Sequence, residues 1–480
     1  MLFNSYIFIL LFLPVTLIGY YIFNKFKKYK LAKTFLLVMS IWFYAYFNIT
    51  YLPIIITSII FNFMIYKGMQ KDKLNKKILL IIGIIFNIGM LIYFKYFDFF
   101  IENINVLFKT DFALKHILLP LGISFFTFQQ VSFVIDSYKQ EVPSYKILDY
   151  ALFVTFFPQL IAGPIVSHDE IVPQFEDLQN KKLNFDNFAK GIYAFTLGLA
   201  KKVLIADMFG KIVNYGFINA GGLNTTNAIL VMLAYTFQIY FDFSGYCDMA
   251  TGIGLMFNIK LPMNFNSPYK SLNIIEFWKK WHITLTRFFT KYVYIPLGGS
   301  KKGTARTYAN IFIIFFLSGI WHGANWTFIL WGALHGIYNI ITRIFKKFFE
   351  KLHPAFAWII NFTFINLTWI YFRADSISQA NTLIKRILSF QFGPIDPTIS
   401  TKFRLEELKT IFGIFKIDNP LFYTGFFFIL ALVAILSMKN TNEKLETFKP
   451  TIIRAIIIPI LLVWGIVSFA GESTFLYFNF

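Results

Sequence analysis

Long apolar runs broken by short lysine clusters set the pattern of the chain. The first run, Leu2 to Phe23, matches the ~20 residues that cross a bilayer core as a helix. Lys25, Lys27, Lys28 and Lys30 follow it with no small-residue cleavage pattern. It therefore reads as a first membrane helix and not as a removed signal. Further runs fall near 33–49, 52–66, 78–94, 117–135, 148–166, 188–209, 226–258, 308–320, 323–345, 355–372, 421–438 and 452–470. Several fall short of the ~20 residues of a perpendicular span, which predicts tilted, re-entrant or half-spanning pieces. The pattern predicts an all-α polytopic membrane protein with about ten to twelve transmembrane helices.

The links between runs carry the orientation. The lysines after the first run, and the later cluster Lys67, Lys71, Lys73, Lys76 and Lys77, mark cytoplasmic ends. The uncharged Asn48-Ile49-Thr50 link suits the outside, so the N-terminus is expected to be extracytoplasmic. Beyond residue 139 the alternation blurs, and the longer polar segments 167–187, 259–307 and 373–420 interrupt it. Irregular backbone at membrane depth is tolerated only where protein buries it or water lines it. A chamber sunk in the membrane is expected, as an enzyme or a transporter would have. One membrane domain is expected over 1–480, with N-terminal helices (1–115), a core (116–372) and a C-terminal extension (373–480).

Composition sharpens this picture. Hydrophobic residues make up 57% of the chain and charged residues only 15%, against about a quarter charged in soluble domains. Lipid is thus the expected solvent. The net charge of +20 comes from clusters between runs and not from one basic face, which argues against nucleic acid as a partner. The lone Cys247 excludes an intrachain disulfide. No His/Asp/Glu spacing suggests a metal site, and neither a Walker A loop nor a G-x-S-x-G elbow occurs. No permanently bound cofactor is expected.

Three places interrupt apolar sequence with chemistry, and polar groups inside membrane segments are functional hypotheses by default. The first is Ser318-Gly319-Ile320-Trp321-His322-Gly323-Ala324-Asn325-Trp326. A neutral imidazole at His322 can take a proton from an attacking hydroxyl near neutral pH. Gly319, Gly323 and Ala324 would let a bulky substrate approach, and continuing helix would put His322 and Trp326 on one face. Trp321, Asn325 and Trp326 are the candidate wall. A packed histidine bonded to a carbonyl explains the same residues about equally well. The second place is Trp281-His282-Ile283, where an interfacial histidine is the blander explanation. The third is Tyr235 to Gly254, where Tyr235, Gln238, Asp242 and Gly245 share a helical stripe. A channel lining, a substrate wall and a buried structural network all fit that stripe. His168, in a polar segment, is expected to be solvated. His335, thirteen residues beyond His322, is expected to point away from it.

Taken in order, several segments resemble the membrane-bound O-acyltransferase family in its alginate and peptidoglycan O-acetyltransferase branch. They are Leu11-Phe12-Leu13-Pro14, Leu119 to Gln129, Phe156 to Ile165, Tyr240 to Tyr246, Asn264-Phe265-Asn266-Ser267-Pro268-Tyr269, Phe277 to His282, Tyr294 to Gly299 and Trp321-His322-Gly323. The resemblance implies that His322 is the essential histidine and His282 the second one, with helices ringing a thin centre between cytoplasmic and periplasmic funnels. It implies cytosolic acetyl-CoA or another acyl thioester as donor, a periplasmic SGNH-type partner, and a polysaccharide acceptor reached indirectly, peptidoglycan before alginate. It implies a bacterial inner-membrane location. The Asn264–Tyr269 loop brings Asn266 into the candidate substrate set. The Phe475-Leu476-Tyr477-Phe478-Asn479-Phe480 segment resembles the tyrosine motif of the small peptide that accompanies the D-alanyl exporter, a more distant branch. Tyr477 is therefore a candidate acyl relay, with an aromatic interfacial anchor as the plainer alternative. A D-alanyl exporter-like enzyme, a flippase working through Gln238, Asp242 and Asp248, and a non-catalytic scaffold complete the alternatives.

Overall fold

The computed structural model describes residues 1–403, 419–469 and 475–476, and helices make up all of its regular structure. Among the described residues, five helices are long and apolar enough to cross a membrane: Phe8–Lys25, Ile49–Met69, Lys76–Phe108, Thr225–Met256 and Pro354–Arg373. Pro420–Leu436 and Ile452–Val467 are shorter apolar helices. Helices such as Tyr29–Ala45, Ile123–Tyr138, Thr304–His322 and Trp326–Ile344 pack among them. The chain is a multi-pass membrane protein.

Local chemistry sets many of the helix starts. Asn75, Asn184, Asn224, Asn273 and Asn325 each turn a side-chain oxygen onto the backbone N–H groups of the first turn. Pro14, Pro53, Pro354 and Pro420 occupy first-turn positions, where their missing N–H is no loss.

Three apolar runs behave differently from a simple span. The run near 148–166 breaks at Phe156, giving Ile147–Thr155 and Phe157–Leu160, whose residues from Asp149 onward are buried in protein. The run is thus two short buried pieces and not one continuous helix. The run near 117–135 becomes helical only at Ile123, after Gly122 turns the chain in a left-handed conformation. The run near 78–94 does not stop at 94. It continues through a π-turn, Ile92–Tyr96, to Phe108.

Thr225–Met256 is the hub. It runs antiparallel to the helical stretch Phe185–Ile218, with Gly245 against the carbonyl of Gly198 and Gly252 against that of Gly191. A Cβ at either glycine would come within 3 Å of backbone, so only glycine lets the two helices meet this closely. Away from the hub, a buried amide network ties three helices together. Asn62 donates to Asn87 (3.1 Å) and Gln130 (3.0 Å), Asn87 donates back to Asn62 (2.6 Å), and Gln130 donates to Ser58 (2.7 Å). In a membrane interior such groups have no water to fall back on, so mutual pairing is what makes their burial tolerable.

Candidate active site

His322 is the last residue of the Thr304–His322 helix, and Gly323 after it is fully extended. The ring is buried among aromatic neighbours, with centroids at 4.9 Å to Trp321, 5.2 Å to Trp331 and 5.0 Å to Phe372. The glycines around it serve packing and not substrate access. Gly319 lies against the backbone of Gly332 and Phe328, and a Cβ at Gly323 would overlap the Phe328 ring. The shared face of His322 and Trp326 does not form, because the helix ends between them. Trp326 opens the next helix, is 53% exposed, and donates its indole N–H to Asn103 (2.9 Å). Asn325 caps that helix through Thr327 N–H (3.0 Å) and donates to the carbonyl of Asp375 (2.9 Å). These two residues work at a helix start, not on the wall of the His322 cluster.

His282 comes to the same cluster from another element. It sits at φ 47°, a left-handed conformation rare for a residue with a Cβ. The Asn264 loop holds it there. Ile283 N–H donates to the carbonyl of Asn264 (3.0 Å), and Asn264 Oδ1 accepts from Thr284 N–H (3.2 Å) and Thr284 O–H (3.0 Å). The same Oδ1 lies 3.1 Å from His282 Nδ1. An oxygen already accepting two bonds meets Nδ1 as a donor, so the neutral ring carries its proton on Nδ1 and its lone pair on Nε2. Nε2 is then the basic atom. Trp321 neighbours both histidines, 6.1 Å from His282 and 4.9 Å from His322 by ring centroids. His282 is thus a core residue of the site and not an interfacial one.

The stripe on the hub helix turns out to be a helix–helix contact. Tyr235 meets Phe217, Gln238 meets Gly210, Asp242 meets Lys202 and Gly245 meets Gly198. Asp242 is buried and takes the Lys202 ammonium at 2.6 Å, while Lys202 also reaches Asp207 at 2.9 Å. The other carboxylate oxygen of Asp242 accepts the backbone N–H of Leu476 (2.9 Å). Phe475 packs beside it, with the Lys202 ammonium 4.7 Å over its ring and Tyr246 at 4.7 Å edge-on. Tyr477 lies outside the described residues. Asn266 is in a loop contact, donating its backbone N–H to Lys280 O (2.9 Å) and accepting from Asn440 (2.9 Å).

Two histidines depart from expectation. His168 is buried, not solvated, with Nδ1 3.2 Å from the Tyr145 hydroxyl and Nε2 3.6 Å from Asp136. His335 accepts the Trp278 indole N–H on Nδ1 (3.3 Å), with its Nε2 3.0 Å from Thr368 Oγ1, and packs behind Trp331 at 4.8 Å. It backs the His322 pocket, pointing at a shared indole, where sequence spacing alone pointed it away.

A cleft of about 200 Å³ opens beside this cluster, lined by Ser132, Thr284, Arg287, Phe288, Lys291 and Tyr292 among others. From its wall a stack of rings leads inward. Phe288 stacks on Phe128 at 4.0 Å, and Phe128 stacks on Trp321 at 5.3 Å. Sequence reasoning also missed Lys95, whose ammonium donates to the carbonyl of Trp321 (2.6 Å). The signal was present, a lysine inside Tyr93-Phe94-Lys95-Tyr96-Phe97, but ending the apolar run at 94 hid its depth.

Comparison with known proteins bears on this arrangement. Residues 38–377 match the profile of MBOAT, the membrane-bound O-acyltransferase family. The chain is 41% identical to the peptidoglycan O-acetyltransferase of Helicobacter pylori, over all of this chain and 98% of that protein. It is 38% identical to the probable alginate O-acetylase AlgI of Pseudomonas aeruginosa, over 81% of this chain and 75% of that one. Against the teichoic acid D-alanyltransferase of Bacillus subtilis it is 30% identical, over 50% of this chain and 62% of that one.

Proposed function

The chain belongs to the membrane-bound O-acyltransferase family and is an acyltransferase, and on that premise we propose a transmembrane acetyl transfer with His322 as general base. The donor is acetyl-CoA or another cytosolic thioester, and a periplasmic SGNH-type partner finishes the O-acetylation of peptidoglycan. The chain sits in the bacterial inner membrane with its N-terminus outside. The observation that carries this reading is the convergence of His322 and His282, from separate elements, on one indole, that of Trp321.

The chemistry follows from that pair. Coenzyme A is a charged nucleotide and cannot cross a ~30 Å hydrocarbon core, so the acetyl group alone must pass. The thioester enters by the cleft beside Phe288 and approaches along the ring stack to Trp321. A hydroxyl attacks the thioester carbonyl carbon as His322 takes its proton. The tetrahedral adduct collapses with loss of the C–S bond, and the proton passes from the imidazolium to the departing thiolate. His282, its ring fixed by Asn264, packs against the same indole and shapes the pocket around the incoming hydroxyl without taking its proton.

The attacking hydroxyl is that of Tyr477. Support for this comes from the residues just before it, since Leu476 is bonded to Asp242 and Phe475 is buried against Lys202 and Tyr246 inside the hub. The tyrosyl ester then exchanges with a serine of the partner and regenerates the phenol. Peptidoglycan is preferred over alginate as final acceptor because the peptidoglycan enzyme matches along its full length. A D-alanyl transfer is the alternative, disfavoured by a match over half of the chain.

Membranes carrying the chain and its partner, supplied with acetyl-labelled CoA, test the proposal. Wild type should label polymer, and His322→Ala should lose about 10²–10⁴-fold, the usual contribution of a general base. Tyr477→Phe at matched abundance should abolish polymer labelling. Full activity in Tyr477→Phe removes the relay, and full activity in His322→Ala removes the mechanism.

A further inference from the structure

Lys95 lies in the π-turn Ile92–Tyr96, within the helical run Lys76–Phe108. Its ammonium donates to the carbonyl of Trp321 (2.6 Å), the carbonyl of His322 (3.1 Å) and Ser124 Oγ (3.2 Å). The adjacent Tyr96 hydroxyl donates to the carbonyl of Ile320 (2.6 Å). Three consecutive carbonyls at the end of the His322 helix are therefore capped by two consecutive residues of another helix.

The physical need for this cap is plain. An α-helix leaves its last four carbonyls without partners inside the helix. Water satisfies them at a solvated end, but an end at membrane depth has no such reserve. Gly323 is extended, so the chain does not fold back to supply N–H groups. A cation is the best donor here because it also faces the negative end of the helix dipole. A regular helix points neighbouring side chains about 100° apart, and the wider π-turn is where this one turns Lys95 and Tyr96 onto a single helix end. All three ammonium protons have acceptors in the protein, which leaves Lys95 none to offer a substrate oxygen.

We infer that Lys95 is a positioning residue for His322. It fixes the last helical turn, and with it the imidazole against Trp321, Trp331 and Phe372, without touching the reacting atoms. The inference rests on His322 being the general base.

The test uses the full chain in membranes, with turnover and donor KM measured per folded enzyme for Lys95→Met, Lys95→Arg, Tyr96→Phe and Lys95→Met combined with His322→Ala. Losing a charge-assisted bond at a site that must be held to a fraction of an ångström should lower kcat of Lys95→Met by about tenfold or more. Donor KM should stay within about twofold, since only a transition-state interaction is lost. Lys95→Arg, which keeps charge and donors, should recover part of the rate. Tyr96→Phe, which removes one oxygen and is the least disturbing to folding, should lose about threefold in kcat at unchanged KM. The double variant should be no slower than His322→Ala alone, because residues acting through one group are not additive. A raised KM with unchanged kcat, a normal kcat in both Lys95→Met and Tyr96→Phe, or a further loss in the double variant overturns the inference. If His322→Ala itself keeps full activity, the general-base reading fails and the inference goes with it. A dead His322→Ala beside fully active Lys95→Met and Tyr96→Phe sinks the inference alone.

Discussion

Thr225–Met256 and Lys76–Phe108 are nearly the same length, 32 and 33 residues, and both are apolar enough to span a membrane. Yet 83% of the apolar window of the first is buried in protein, against 17% for the second. The buried helix can carry polar groups on a broad stripe because another helix covers it, pairing Asp242 with Lys202 and Gly245 with Gly198. The lipid-facing helix confines them to one seam. Gly83, Asn87, Leu91 and Lys95 recur every four residues. Gly83 meets Val134, Asn87 enters the amide network, and Lys95 reaches the His322 helix. Ile85, two residues from Asn87, is 65% exposed. A polar residue in a membrane helix is thus read by what covers it, and the narrower the covered seam, the more each polar residue on it has to do.

Substitutions on the two helices test this contrast. The largest effect is expected on the hub. Gly245→Leu should prevent the Gly198 contact and leave little folded protein, seen as loss of a monodisperse peak in detergent, because the colliding atoms are backbone. Next, Asp242→Ala leaves the Lys202 cation without its closest carboxylate and should cost about 3–5 kcal/mol in thermal or denaturant unfolding. On the lipid-facing helix, Asn87→Leu should cost about 1–3 kcal/mol, since it leaves the buried Asn62 Oδ1 without the Asn87 donor. Ile85→Leu beside it should shift stability by no more than about 0.5 kcal/mol. Equal costs for Asn87→Leu and Ile85→Leu would abolish the seam.

The smallest effect concerns the N-terminal end of the hub, where Asn224 and Asn227 donate to the carbonyl of Pro394. The Tyr215 hydroxyl donates to Asp396 there (2.6 Å) and holds that carboxyl below its ordinary value. A depressed folded-state value means stability that is present above the unfolded carboxyl range and lost as pH falls through the folded value. Tyr215→Phe should therefore lower the melting temperature slightly near neutrality and reduce its acid dependence. An unchanged acid profile would remove this bond from the stability of the hub end.

What was legible in the sequence had a local cause. Apolar runs announced membrane helices because lipid demands them. The histidine between two long runs marked His322 as soon as cost in a membrane was considered. Less was legible where one residue had two uses. Gly319 and Gly323 suggested room for a substrate, but the same absence of a Cβ allows the helix hairpin to close on Gly332 and Phe328. Asn325 and Trp326 lay beside the histidine in sequence, and a helix start moved them out of its pocket.

Composition and spacing act along the chain, and they were enough to give the solvent, the helical class and the histidines worth testing. It took packing across the fold to bring His282 and His322 to Trp321, Asp242 to Leu476, and Lys95 to the end of the His322 helix. Those pairs lie 40 to 234 residues apart. Nothing in local propensity couples such distant positions. They meet because buried polar groups in a membrane must find partners inside the protein, wherever in the chain those partners are.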